Sequence, residues 1–398
     1  MNIYLNKNEK AGAKAVALDD LFLTKDMPTT GGSRMLEGYM SLFDAEVISK
    51  LKAAGYDIAG KVNIGEFSVD LLGETSYFGA CEKDGVLVSA SAEALNEGGI
   101  EAVLCFDVNG TPRRAAALAG KTFVKPTYGT VSRYGTIAVA CSGETVGVMA
   151  NSAEDCGKVL ASIVGHDDKD GTSLSEEQCA SVKGGFTKIK KVAVAASITA
   201  SADEDTRAKL SHFCDVMAEQ GVEFVEVDDT VLTLAKTAWN VCMSAELCNN
   251  VSRFDGVKYG YRTKNYKTIE ELYTNSRTEA FGELLKTTIL FGSDTLSTEN
   301  YMKVYDKSLR IRRVVCEKLA ELFSQYDAVL LPACAKTAYT MADVKDNKYL
   351  SFDEALYTAP ASLTGMPAVV TGGIQLIGRA FSDAALLDLA ATFEKEDK

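Results

Sequence analysis

Histidine, proline and tryptophan are all sparse in this chain. Its 398 residues hold two histidines (His166 and His212), six prolines and one tryptophan. Ten cysteines are scattered with no CxxC pair, so reduced, buried thiols are the expected state and neither a metal nor another cofactor is expected. Basic charge is also short: 42 Lys and Arg face 55 Asp and Glu, for a net charge of −13. A surface of that sign argues against extensive direct contact with a nucleic-acid backbone. No apolar run approaches a membrane span, and the opening MNIYLNKNEKAG lacks the basic-then-apolar layout of a signal peptide. A cytoplasmic protein with no membrane contact is therefore expected.

Hydrophobic residues make up 46% of the chain, enough for a sizeable core. No internal repeat, low-complexity linker or composition break divides it, so residues 1–398 are read as one domain. Helical and strand patterns alternate. Asp44 to Ala54 has helical periodicity, with Gly55 as a stop, and Tyr56 to Ile64 reads as a strand. Asn151 to Val164 is a helix opened by Ser152 and Asp155. Val192 to Ala196 is a continuous apolar run of the buried parallel kind. Helices are expected over 204–220, 231–249, 269–285, 299–324 and 384–393, with strands at 223–227, at 328–331 and as a pair within 369–377. Asp167 to Glu177 reads as a polar loop. The sum is an α/β fold, a mixed sheet between two helical layers.

The rest is organised around Ala102 to Gly135. A buried strand, Ala102 to Val108, meets the turn Asn109-Gly110, then an alanine-rich helix, then a strand leading into KPTYGTVSRYG. A strand ending in a small-residue turn that opens a helix gathers backbone N–H groups and one side chain at a point. The side chain is Thr111. The oxyanion turn would be Val108, Asn109 and Gly110, but Pro112 supplies no N–H to it.

This stretch, with TSYFGA (75–80), GHDDKDGTS (165–173), SRFDGVKYGYR (252–262) and LLPACAKTA (330–338), resembles the amidase-signature family. Within that family it is most similar to the A subunits of glutamyl-tRNA(Gln)/aspartyl-tRNA(Asn) amidotransferases. The resemblance implies the family's layered α/β fold, with the chain N-terminally shortened against it. It also implies a glutaminase or amidase chemistry in which a serine attacks, a second serine relays its proton and a neutral lysine is the base. The family segment DTGGS-I-R laid on this chain puts Asp107 at the Asp, Thr111 at the serine and Arg113 at the Arg. The lysine, counted back from Thr29-Thr30, falls on Asp19, and the relay serine falls on Leu87, beside Val88 and near Ser89 and Ser91. An aspartate, with an ordinary pKa of about 4, is a poor base for an alcohol. The family's substrate-carboxylate arginine maps near Thr288, and its acidic substrate contact near Ala355.

Five substitutions at one site imply that the triad is lost. The expectation is a non-catalytic paralogue with a scaffold or regulatory role. Its partners would be B- and C-type subunits or an intact A subunit, and any tRNA role would pass through them. Two alternatives stand beside it. One is an amide hydrolase rebuilt around Thr111 and a nearby carboxylate. The other is a small-carboxylate or amino-acid binding protein with Arg113 or Arg114 as the anion contact. Those arginines read more readily as ion-pair partners of Asp107 or another carboxylate, and Asp19-Asp20 more readily as solvated or capping carboxylates at a strand end than as a ligand pair. Cys105 reads as a small core residue and Lys125 as structural, while Trp239 and the tyrosines of 259–273 read as core or interface packing.

Overall fold

The computed structural model describes residues 1–183 and 187–397. Thirteen strands are described: β1 (Tyr4–Lys7), β2 (Ala15–Asp19), β3 (Asp57–Val62), β4 (Glu82–Lys83), β5 (Val86–Leu87), β6 (Ala102–Asp107), β7 (Thr122–Lys125), β8 (Thr145–Ala150), β9 (Lys191–Ala195), β10 (Glu223–Val227), β11 (Ala328–Pro332), β12 (Ala368–Thr371) and β13 (Ile374–Gly378). Eleven of them form one sheet in the order β1-β3-β2-β6-β8-β7-β12-β13-β11-β9-β10, and β4 and β5 pair as a separate hairpin. Pairing is parallel at β3-β2-β6 and at β11-β9-β10, and antiparallel through the middle. The expected mixed α/β sheet is what the chain builds.

Alternation along the strands divides the core in two. In β2, Val16 and Leu18 join one apolar cluster with the helices Glu46–Ala53, Ala153–Ile163 and Thr230–Val251, whereas Ala15 and Ala17 join a second with Ala90–Glu97 and Thr111–Ala119. In β6, Leu104 and Phe106 face the first cluster and Val103 and Cys105 the second. Asp19 therefore leaves β2 on the Thr111 side, and Asp20 on the other.

Several boundaries differ from the sequence reading. β1 is a short, half-exposed edge strand, YLNK, whose pattern carries no hydrophobic alternation. β8 and the helix Leu350–Thr364, which contains Pro360, are additions to the expected elements. The stretch 269–285 is two helices, Ile269–Ala280 and Glu283–Thr295, parted at Phe281 and Gly282, both of extended backbone. The helix expected from 299 runs Asp306–Phe323 behind one π turn at Tyr301–Tyr305. The polar loop gives way to a helix at Glu176, opened by a Ser175 capping box.

Candidate functional site

The turn after β6 is closed by its own side chains. Gly110, at φ +80°, is the N-cap of Thr111–Ala119, and a Cβ there would lie 2.4 Å from Thr358. Left-handed backbone and this approach both require glycine. The Gly110 N–H donates to Asp107 Oδ1 at 2.9 Å. Asn109 is buried and its amide donates to Val69 O and Ser351 O, each at 3.2 Å. The Thr111 hydroxyl, on a residue 9% exposed, donates to the main-chain carbonyl of Asp70 at 2.7 Å. The basic group beside it is Arg114, whose Nη2 donates to Thr111 Oγ1 at 3.4 Å. A guanidinium stays protonated and takes no proton from an alcohol.

Both arginines are buried and their donors are engaged. Arg113 pairs with Asp107 through Nε at 2.7 Å and Nη2 at 3.2 Å, and donates to Thr358 O, Gln375 Oε1 and Ser362 Oγ. Arg114 donates to Leu71 O, Asn109 O, Thr358 Oγ1, Asp70 O and Thr111 Oγ1. This corrects the anion-contact alternative. No guanidinium N–H is left over for an anion, and the ion pair with Asp107 is the arrangement found.

The other mapped positions lie apart from the Thr111 hydroxyl. Asp19 Oδ2 accepts the Phe106 N–H at 2.9 Å, and Oδ1 accepts the Ser91 hydroxyl at 3.0 Å. Asp19 thus completes a strand end, and burial pushes its pKa up to about 7. Leu87 lies in the β4-β5 hairpin, buried in the second apolar cluster, with its N–H on Tyr339 O. Thr288 is buried and its hydroxyl turns back to Leu284 O at 2.8 Å; Ala355 is buried in its helix. Neither offers a charge to a substrate.

Two buried lysines lie elsewhere. Lys61 meets Asp20 at 3.5 Å, Phe22 O at 2.6 Å and Pro28 O at 3.1 Å, on the opposite face of the sheet from Asp19. Lys125 donates to Met366 O at 3.0 Å and Pro126 O at 3.3 Å, in keeping with a structural role. Cys105 is buried, and burial raises its thiol well above the ordinary range. Trp239 is fully buried, whereas Tyr259, Tyr266 and Tyr273 are about two-fifths exposed, at 40%, 42% and 39%. Those three are surface groups, whereas Tyr261 is half-buried and packs against the first apolar cluster.

The sequence reading missed Asp70. It is fully buried, its Oδ2 accepts from the Thr75 N–H and hydroxyl, and its Oδ1 has no partner. Burial, with the charge of Glu74 adding, pushes its pKa up to about 8. The position of Asp70 just before the TSYFGA block was the available signal.

A layered α/β fold presenting one alcohol side chain on a strand–glycine–helix turn is the architectural class defined by these features. The chain belongs to the Amidase family, whose model matches residues 15–387. The A subunit of the glutamyl-tRNA(Gln) amidotransferase of Janthinobacterium sp. (strain Marseille) is 33% identical, over 96% of this chain and 83% of that protein. The same-named subunit of Thermotoga maritima is 32% identical, over 99% and 86%. The crystal structure of the Thermotoga maritima subunit superposes with a TM-score of 0.80 at 28% identity, covering 98% of this chain and 87% of that one.

Proposed function

We propose that this chain is a non-catalytic member of the amidase family, one domain over residues 1–398, that works by binding, in the role of a scaffold or regulatory counterpart of the amidotransferase A subunit. The observation that carries the reading is the state of Thr111: its hydroxyl is given to a main-chain carbonyl and its basic neighbour is an arginine. A hydroxyl becomes a nucleophile when a base takes its proton, and removing one member of such a relay costs several orders of magnitude in rate. Asp70 supplies no base. Its carboxyl holds a proton at neutral pH, and the contact to Thr111 is through its backbone.

The partners proposed are B- and C-type subunits or an intact A subunit, because the relatives are named as one subunit of a larger enzyme. Exposed apolar side chains support this. Tyr39, Met40, Leu42 and Phe43 fall within five residues, and Leu42 is 92% exposed. Capture of the tagged full chain from its host is expected to bring down an amidotransferase subunit, identified by mass spectrometry. A chain that elutes alone defeats the scaffold reading. A glutaminase and amidase assay is expected to give equal, background rates for the wild type and Thr111→Ala; a rate abolished by Thr111→Ala defeats the non-catalytic one.

A further inference from the structure

Residues 253–267 reverse the charge of the chain. Arg253, Lys258, Arg262, Lys264 and Lys267 stand there against one carboxylate, Asp255, in a molecule whose net charge is −13. All five cations are exposed. Elsewhere on the surface such groups are paired, as Lys158 is with Glu154, Arg313 with Glu317 and Lys336 with Asp343. Among the described residues none of the five makes an ion pair. Arg253 turns back on Asn250 O and Oδ1, and Asp255 accepts the Val257 and Lys258 N–H groups at 2.8 and 3.3 Å. Glu271, the next carboxylate but one, is taken by the Lys267 N–H at 2.6 Å.

No helix or strand runs through this stretch, yet it is held in place. The Tyr261 N–H donates to Met35 O at 2.7 Å and the Tyr261 hydroxyl to Glu279 Oε2 at 2.6 Å. The Thr263 N–H donates to Ser276 Oγ at 3.1 Å, and the Asn275 amide to Asn265 O at 2.6 Å. Gly260, at φ +85°, lies so close to Met35 that a Cβ would sit 2.7 Å from its carbonyl oxygen. A surface ordered in advance loses less freedom on binding. The rings are used to hold cations. The Arg262 guanidinium is 5.7 Å from the Tyr266 ring centre, with Nη2 3.4 Å from its hydroxyl, and Arg34 is 4.1 Å from the ring centre of Tyr261. A guanidinium laid on a ring keeps its N–H edge for a carboxylate, and the covered ring face is no platform for a nucleobase.

We propose that residues 253–267 form the docking surface for an acidic segment of a partner protein, a short run of Asp or Glu with aromatic or apolar residues between them. Its carboxylates meet Lys258, Arg262, Lys264 and Lys267, and its apolar groups meet the exposed rings of Tyr259 and Tyr266. Charge selects the occupant: unpaired cations on an acidic molecule attract a segment of opposite sign. A short segment engages the patch alone, whereas a long polyanion also meets the repulsion of the rest of the surface. The Tyr261 bond to Met35 joins the stretch to the turn Arg34–Leu36, and so to the exposed run from Tyr39 to Phe43. The inference rests on the scaffold reading for the existence of a partner, and adds the chemistry of its contact.

The test is fluorescence anisotropy of the full chain with a labelled peptide of Glu-Glu-Tyr repeats, its Gln-Gln-Tyr counterpart and an oligouridylate of equal length. The glutamate peptide is expected to bind, less tightly as salt rises, and the other two at least about tenfold more weakly. Arg262→Glu with Lys264→Glu is expected to weaken the glutamate peptide by about tenfold or more, a change of about 1.4 kcal/mol. Arg262→Gln with Lys264→Gln should move it in the same direction. Lys188→Glu with Lys190→Glu makes the same charge change at exposed positions beside β9, near the other end of the sheet, and should leave it unchanged. Absence of glutamate-peptide binding overturns the proposal, as does equal binding of the glutamine peptide. So does an equal loss in the two Glu double variants, which would reduce the effect to net charge, or tighter binding of the oligouridylate, which would make the patch a nucleic-acid site. Peptide binding without a captured subunit defeats the scaffold reading alone, and a captured subunit without peptide binding defeats this proposal alone.

Discussion

At position 111 the hydroxyl is held in a hydrogen bond to the Asp70 carbonyl, and the energies of its neighbours say how firmly the turn is built. Asp107 and Arg113 form a fully buried pair at 2.7 Å. Removing one partner leaves the other charge uncompensated, at a cost of roughly 3–5 kcal/mol. Thr111→Val removes the bond to Asp70 O and the long contact from Arg114, together worth about 1–2 kcal/mol. Urea denaturation is expected to rank Asp107→Ala far below Thr111→Val, and equal losses would mean that the pair is not what holds the turn. Asp70 gives a pH test at the same place. Its folded pKa of about 8 lies above the ordinary 3.8, so between those values the native state holds a proton that the unfolded chain has released. Its contribution is then fully present below about 4 and lost as pH rises through about 8. The stability of the wild type relative to Asp70→Asn is expected to fall as pH rises from about 5 to about 9. A difference between the two denaturation midpoints that stays flat over that range would count against a protonated Asp70.

Among the elements, the break at Phe281-Gly282 matters most, because it sets where the helix Glu283–Thr295 starts. Glu66 holds it. Its Oε1 accepts the Ser33 hydroxyl at 2.6 Å and its Oε2 the Gly282 N–H at 2.8 Å. Glu66→Ala removes both bonds and is expected to cost about 2 kcal/mol. Faster amide exchange in the first turn of Glu283–Thr295 should accompany the loss. Unchanged exchange there would mean that packing of Phe281 on Phe67 fixes the start without Glu66. Nothing in the local sequence announces this break, because its cause lies more than two hundred residues upstream. The elements that were legible carry their reason locally. Residues 192–195 of the strand Lys191–Ala195 and all of Ala328–Pro332 are unbroken apolar runs, and Ser152 before Ala153–Ile163 caps the helix it was expected to cap. β1 was hidden by its polar, exposed edge, and Leu350–Thr364 by its internal proline. At the site the positions of Asp19, Leu87 and Thr111 could be counted along the chain, but their partners could not. The Asn109 amide meets a carbonyl 242 residues away, and Arg113 one 245 residues away.

For the whole molecule the decisive quantity is charge. A net charge of −13 is spread over a chain whose sheet ties residues 123–125 to 368–370 and closes its two halves together. No helix among the described residues is long and apolar enough to cross a membrane. Binding of tRNA draws most of its affinity from neutralising phosphates with Lys and Arg, a term that repulsion by an acidic surface works against. The chain alone is therefore expected to give no complex with bulk tRNA in a mobility-shift assay at about 0.15 M salt. If the protein captured from the host supplies the basic surface, a shifted band should form when that protein is added, and it should weaken steeply as salt rises. A salt-sensitive complex formed by the chain alone would require a local basic face strong enough to override the net charge, and would move the tRNA contact from the partner to this protein.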